Sequence, residues 1–589
     1  MNKLTKKCVA AIASLAMAGT LCVAGAVTMA SVAWGVPKPP LKQATGDPAD
    51  APWCKKKDGG ACDNLKTEGT LTINKYKYKD EGNHQGDALD GAKFTLTKVT
   101  KIGNVDLKYG EFSTWSKIAG VVDKLNRGDA TGVEFGAGNG NVYNTETKNG
   151  GTATIAKLPV GLYKVVETPP AGYGAADKTE FYITMPLIEP ANTTNPFNWS
   201  PTISPKNKDI SKTFTKTLDN GEGHNSVLAK DKTLYYTISA SVNRTKTGTL
   251  SADDLSGFAV FDDFPTAAFT SPTDASKAVD SVTIGEGNDA KLTATSDYTV
   301  SIVKTDTEEG GKSLKTDRNR ILVKFTGDGL TKIANKLNAV TSGEDPKVKV
   351  TIKLDLNADY QGGDVPTGGQ KSTTNVEIVN KSGFFPASPK GTTNPDPIVS
   401  GDGEGEGGTS TVKYGWFDVF KYDAADEGKQ TKTGLADAEF RLFNTEEKAD
   451  ACAKKLVDAS KDADSVDECK AGSSTFTGNT AKTQSTGKLS APVKVQAGTN
   501  IYLVEVKAPN DYMRLPRVET VNVKEGELKT VPFSNTKKSS TDNKWAWFNL
   551  PATGAAGVIL FALAGMGLIA ASVFLYMRNR KEEEQQAKA

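Results

Sequence analysis

Apolar and polar residues alternate with a period of two through much of this chain, and each alternating run predicts a β-strand. The clearest runs are 70–76, 92–97, 181–185 and 203–207 early on, 234–239, 320–325 and 348–353 in the middle, and 416–421, 438–443 and 528–535 toward the end. A helical stretch at about 446–459 interrupts the last group, and a loop or helical insertion is expected around 105–145 in the first. Two apolar runs break the alternation. Residues 9–29 follow Lys3, Lys6 and Lys7 and read as a secretory signal peptide. Residues 555–577 carry no charge, match the ~20 residues that span a bilayer as a helix, and precede Arg578-Asn579-Arg580-Lys581. Basic residues there favour a cytoplasmic C-terminus and leave the rest outside.

These runs predict an all-β chain of three tandem immunoglobulin-like β-sandwich domains between the signal peptide and a C-terminal transmembrane helix. The expected boundaries are 1–33 for the signal peptide, 34–68 for a poorly ordered leader and 69–207 for the first domain. The middle domain follows at 208–392, a Gly/Asp/Glu/Ser linker at 393–410, the third domain at 411–537 and the terminal region at 550–589. At 589 residues the chain is too long for one core.

Composition narrows the function. The net charge of +2 includes the basic signal peptide and tail, so the exported part is close to −2, which argues against nucleic acid as a partner. The two histidines, His84 and His224, lie in Gly/Asn-rich turns, and no nucleophile–base grouping stands out. An enzyme, a cofactor and a metal are therefore not expected. Four cysteines remain after the signal peptide, and secretion with sequence proximity suggests the disulfides Cys54–Cys62 and Cys452–Cys469. The competing reading, zinc held by four thiolates, has no CxxC pair to support it.

The first and third blocks share an ordered set of polar residues on otherwise apolar strands. Each opens with a lysine, Lys75 or Lys421. Each then has a glutamate ahead of Pro and Tyr, Glu167 in residues 163–173 and Glu505 in residues 503–512, and each closes with an asparagine, Asn207 or Asn535. Burial disfavours charge, turning lysine toward a neutral amine and glutamate toward a neutral acid. A neutral amine is a nucleophile, and a protonated carboxyl can polarise a carboxamide and relay protons. Such a set can form a Lys–Asn amide and release ammonia. The same residues could also be a buried ion pair beside a satisfied amide.

Both blocks resemble the collagen-adhesin B-type domains of Gram-positive pilins. The carrying residues are Leu503, Glu505, Ala508, Pro509 and Tyr512 of the glutamate segment, and in the first block Glu167-Thr168 with Gly172-Tyr173. The resemblance implies intramolecular isopeptide bonds Lys75–Asn207 and Lys421–Asn535, with Glu167 and Glu505 as relay acids. The middle block is similar to the related pilin domain with an aspartate relay. Asp262-Asp263-Phe264-Pro265 points to Asp262, with Lys212 as the amine and Asn375 as the amide, although Lys216 and Asn380 lie close by. Ser204-Pro205-Lys206-Asn207 resembles the pilin motif, whose lysine joins subunits; Lys206 should then be exposed.

Leu550-Pro551-Ala552-Thr553-Gly554, followed by the apolar run and basic tail, resembles the sortase signal of Gram-positive surface proteins. The resemblance implies cleavage after Thr553 and transfer of its carbonyl to Lys206 of another copy. The expected protein is a secreted major (backbone) pilin, anchored in the cell wall and supporting adhesion. Its partners would be pilin-specific and housekeeping sortases, identical subunits in a covalent homopolymer, minor and tip pilins, and peptidoglycan. A wall-anchored monomeric adhesin or a minor pilin subunit is the alternative.

Overall fold

The computed structural model describes residues 45–538 apart from short internal stretches, the longest being 79–84, 189–195 and 402–406. The signal peptide and the region 550–589, with Leu550, Pro551, Ala552, Thr553 and Gly554, lie outside the described residues. Among the described residues no helix is long and apolar enough to cross a membrane. The chain is mostly strand and forms two compact units. One holds the described residues up to Asp219 with Leu234–Asp355 and Val379–Thr411; the other holds Asn220–Thr233, Leu356–Ile378 and the described residues from Val412.

The first block begins with β1 (Glu68–Asn74) and β2 (Tyr76–Tyr78), followed by β3 (Lys93–Ile102), α1 (Phe112–Asn126), β4 (Gly161–Thr168), β5 (Tyr173–Ala175) and β6 (Lys206–Asp209). Alternation decides the faces, with Leu71 and Ile73 of β1 packed against Phe94, Leu96 and Val165 of β3 and β4. In the insertion, Trp115, Ile118, Val122 and Leu125 recur three or four apart and bury as one stripe of α1. β6 pairs parallel with β2, Lys206 opposite Tyr76, and antiparallel with β5, Asn207 opposite Ala175.

The leader departs from the expectation of disorder over its described part. The Cys54–Cys62 disulfide closes a small hairpin. Trp53 packs edge-on against Trp115, Phe197 and Trp199 at 5.1, 5.5 and 5.2 Å between ring centroids. One large aromatic gives this Pro/Lys/Asp-rich stretch an apolar anchor that composition hides.

The middle block supplies β7 (Phe214–Asp219), β8 (Ala259–Pro265), β9 (Arg318–Phe325) and β10 (Glu377–Phe385), with β8 between β9 and β10. Asp263 is buried beneath Arg320, whose Nε and Nη2 donate to its carboxylate at 2.7 and 2.8 Å. The guanidinium lies 3.6 Å from the centre of the Phe261 ring. The proposed linker is not free chain throughout, because Ile398–Val399 pairs with β10 and Ile398 is buried.

The third block supplies β11 (Thr409–Asp423), β12 (Glu439–Phe443), α2 (Glu446–Lys455), β13 (Ile501–Lys507) and β14 (Leu528–Asn535). β11 and β14 pair parallel over eight residues, from Trp416 opposite Leu528 to Asp423 opposite Asn535. α2 starts on a Thr445 cap and ends at Lys455, short of the expected 459; Cys452 in its last turns is joined to Cys469 beyond it. Val227 and Leu228 complete the core around Phe417, Val419 and Val495, which is why the segment 220–233 groups with the third block and not, as the sequence boundaries have it, with the middle one.

Breaking the Arg320–Asp263 pair from one side strands a buried charge. Arg320→Met is expected to cost about 3–5 kcal/mol in denaturant unfolding, and adding Asp263→Leu should restore most of it.

Three buried lysine–acid–asparagine sites

The lysine of the first site occupies the one-residue gap between β1 and β2. The Lys75 N–H donates to the Gly151 carbonyl at 2.7 Å, and its own carbonyl accepts from Leu89 at 2.9 Å. This grip turns the side chain into the core, where Nζ donates to Glu167 Oε2 at 2.9 Å and lies 2.9 Å from Oε1. Glu167 sits opposite Phe94 in the β3–β4 ladder. Asn207 is fully buried on β6, opposite Lys77 and so two register positions from Lys75, and neither end of its carboxamide has a hydrogen-bond partner. A buried amide without partners costs free energy, of order 1–3 kcal/mol.

The third site repeats this arrangement with all three groups in contact. The Lys421 N–H donates to Gly487 at 2.7 Å and its carbonyl accepts from Leu435 at 2.9 Å. Lys421 Nζ lies 2.8 Å from Glu505 Oε1 and also contacts Asn535 Oδ1. Asn535 Nδ2 donates to Glu505 Oε1 and Oε2 at 2.8 and 3.1 Å. Burial lowers the Lys421 pKa, with Glu505 opposing that shift, and the Phe440 and Phe533 rings flank the ammonium at 6.0 and 5.5 Å. Glu505 stands opposite Phe440, as Glu167 stands opposite Phe94.

In the middle block the structure replaces two of the expected residues. Lys212 is exposed in the turn before β7, and Asn375 precedes β10 with a left-handed φ of 53° and lies in the other compact unit. The buried set is Lys216, Asp262 and Asn380. Lys216 Nζ contacts Asp262 Oδ2, donates to the Lys381 carbonyl at 3.0 Å and faces the Tyr236 ring at 4.8 Å. Asn380 Nδ2 donates to Asp262 Oδ2 at 3.4 Å. Burial pulls the Lys216 pKa down to about 8 and pushes Asp262 up. Strand parity is the reason for the correction: β7 buries Phe214 and Lys216, and β10 buries Ile378, Asn380 and Ser382. Of the two adjacent aspartates, Asp262 meets the lysine while Asp263 is committed to Arg320.

Lys206 also departs from expectation. It is only 8% exposed, because it lies on β6 between β2 and β5 and not in an open linker.

The alternation does not reveal the residues that hold Lys75 and Lys421. Thr147 Oγ1 donates to the Leu89 carbonyl at 2.9 Å and accepts from the Ala92 N–H at 3.1 Å; Thr483 does the same with Leu435 and Ala438 at 2.8 and 3.1 Å. Gly151 and Gly487 have φ of +75° and +77°, and a Cβ on either would run into the carbonyl oxygen of Lys75 or Lys421. The signal was present as Leu-x-x-Ala-x-Phe at 89–94 and 435–440, and as Thr-x-x-x-Gly at 147–151 and 483–487.

Chemically, each site holds a primary amine, a carboxyl group and a carboxamide out of water. In the middle site burial lowers the Lys216 amine and raises the Asp262 acid, and in the third it lowers the Lys421 amine; such shifts favour the neutral forms that can attack and protonate an amide.

Residues 74–195 and 421–537 match the model of the SpaA prealbumin-like fold domain, and residues 548–584 match that of the LPXTG cell wall anchor motif. The chain is 28% identical over 546 residues to "Fimbrial subunit type 1" of Actinomyces viscosus, covering 87% of this chain and 90% of that protein. Among solved structures it is similar to the full-length major pilin SpaD of Corynebacterium diphtheriae, with 18% identity, 81% and 99% coverage and a TM-score of 0.41. The major pilin SpaA of the same organism gives 18%, 80% and 100%, and 0.37.

Gly151→Ala and Gly487→Ala are each expected to destabilise by about 1–3 kcal/mol in denaturant unfolding, from backbone strain. Gly120→Ala, in an open position on α1, should be neutral or stabilising by up to about 1 kcal/mol.

Proposed function

We propose, for a chain that is a wall-anchored, sortase-assembled pilin subunit of the LPXTG type, that it is the major subunit of the fibre and is crosslinked within each of its three blocks. The observation that carries this reading is the burial of a lysine beside an acid and an asparagine in all three. The bonds are Lys75–Asn207, Lys216–Asn380 and Lys421–Asn535, with Glu167, Asp262 and Glu505 as relay acids. In each, the neutral amine attacks the carboxamide carbon while the protonated carboxyl polarises its oxygen. The amine gives up a proton, the C–N bond to the original nitrogen breaks, and that nitrogen leaves as ammonia with the relayed proton. By the loop-entropy account used for disulfides, closing a loop of the length between Lys421 and Asn535 adds roughly 4–5 kcal/mol.

Between subunits, a sortase forms an acyl-enzyme at Thr553 and Lys206 of another copy attacks it. The chain itself transforms no outside substrate; it is the material that is joined. Support comes from the sorting signal in its full order and from Lys206 standing directly before Asn207 at the close of the first block. The burial of Lys206 favours a second reading, a wall-anchored monomer that never polymerises. Under the fibre reading, β6 or its neighbours must yield to the enzyme.

The intact mass of the oxidised ectodomain should fall short by three ammonias beyond the disulfide hydrogens. Lys216→Ala should restore one ammonia and Lys212→Ala none; a full theoretical mass for the parent would refute the crosslinks. Electrophoresis of wall extracts should give a high-mass ladder for the parent and a single monomer-sized band for Lys206→Ala. A ladder that survives that substitution would overturn the joining role of Lys206.

A further inference from the structure

Of the four consecutive residues 512–515 after the relay strand of the third block, three reach different parts of its crosslinking site. The Tyr512 hydroxyl donates to Asp423 Oδ2 at 2.7 Å, two residues past Lys421, and its pKa is pushed up to about 12 by burial and that partner. The Met513 N–H donates to the Thr536 carbonyl at 2.9 Å, one residue past Asn535. The Leu515 N–H donates to Glu505 Oε2 at 2.7 Å. Between them, Arg514 turns away from the site. Its Nη1 donates to the carbonyls of Lys461 and Val506 at 2.9 and 3.1 Å, and its Nη2 to those of Leu456 and Asp458 at 2.9 Å each.

Three of those four acceptors, Leu456, Asp458 and Lys461, lie inside the loop closed by Cys452–Cys469. A planar guanidinium fixed by four carbonyls has little rotational freedom, so the position of the cystine loop is passed to the backbone of residues 514 and 515. The first block has no counterpart among its described contacts; there Glu167 meets Lys75 with no backbone donor among the described residues, and residues 173–175 form β5 instead.

We infer that Arg514 is a positioning residue for the Lys421–Asn535 crosslink, and that the Cys452–Cys469 disulfide must form before that bond is made efficiently. The inference rests on the crosslinking proposed above. Seated on the oxidised loop, Arg514 holds the Leu515 N–H against Glu505 Oε2. This leaves Oε1 directed at Lys421 and at the Asn535 carboxamide, the arrangement seen at 2.8 Å to each. With the loop reduced, the carbonyl cradle loosens, the donor leaves, and the acid can rotate off the amine. The order of covalent steps in the third block is therefore oxidation first and amide formation second; the first and middle blocks carry no such dependence.

The test follows ammonia loss in the refolding full ectodomain by peptide mapping, with the Lys75–Asn207 and Lys216–Asn380 peptides as internal controls. Arg514→Met and the double variant Cys452→Ser/Cys469→Ser should each slow the Lys421–Asn535 bond roughly 100-fold, the scale of a misplacement of about 1 Å, and leave the two controls unchanged. Arg514→Lys, which keeps a donor for the loop carbonyls, should recover part of the rate if the third block of Arg514→Met merely fails to fold. A spectroscopic reading separates positioning from stability. In a Lys421→Met background that cannot crosslink, selectively labelled leucine should show the Leu515 amide proton downfield in the oxidised chain and shifted upfield by Arg514→Met or by reduction. An unchanged Lys421–Asn535 rate in the variants, or an unmoved Leu515 resonance, overturns the inference. Absence of the bond in the oxidised parent would instead refute the crosslinking on which it rests.

Discussion

The structure depends on putting a lysine ammonium and a carboxyl group together where water cannot reach them. Burying either charge alone is prohibitive, and burying both is tolerable only with close geometry and further hydrogen bonds. In the first and third blocks the fold achieves this by gripping the lysine backbone between a glycine carbonyl and a leucine N–H, so the side chain has nowhere to go but inward. The middle block reaches the same end by strand parity alone. In all three the neighbouring carboxamide completes the set, and removal of the charges by amide formation would discharge the electrostatic cost of assembling them.

Much of this was legible in the sequence because the reporters were strand-borne. Lys421, Glu505 and Asn535 lie on long alternating runs, and a polar residue in phase with Val, Ile and Phe is conspicuous. The middle assignment failed where the phase was ambiguous. Lys212 and Lys216 are four apart, and only the burial of Phe214 at the start of β7 shows which of them faces inward. Asn375 lies before β10 begins, outside any alternation. Lys206 was expected to be exposed because the resemblance makes it a site an enzyme must reach, yet it lies on a strand between two others. The leader was misjudged for a different reason: composition averages over thirty residues, and a single indole outweighs them. The contacts of Arg514 could not have been anticipated, since they are made to main-chain carbonyls that leave no side-chain signature.

The two prealbumin-like domains are close variants of one plan that differ at the relay acid. In the third, Glu505 is held by a backbone N–H and by Asn535. In the first, Glu167 meets Lys75, while Asn207 stands without a hydrogen bond. The shared Leu-x-x-Ala-x-Phe and Thr-x-x-x-Gly segments preserve the lysine grip, whereas the loops after the glutamates diverge in length and role. The part that grips the lysine is thus kept, and the part that surrounds the acid varies.

The parallel pairing of β11 and β14 has a mechanical meaning. Both strands run the same way, and Lys421 and Asn535 lie near their shared far end. Once these two are joined, tension entering along residues 412–421 crosses directly into the chain beyond 535. Everything from 422 to 534, including the helix and its cystine loop, then hangs beside the taut line instead of within it. That span can lengthen, change its surface or unfold without lengthening the thread, leaving its exposed decoration free to diverge at no mechanical penalty.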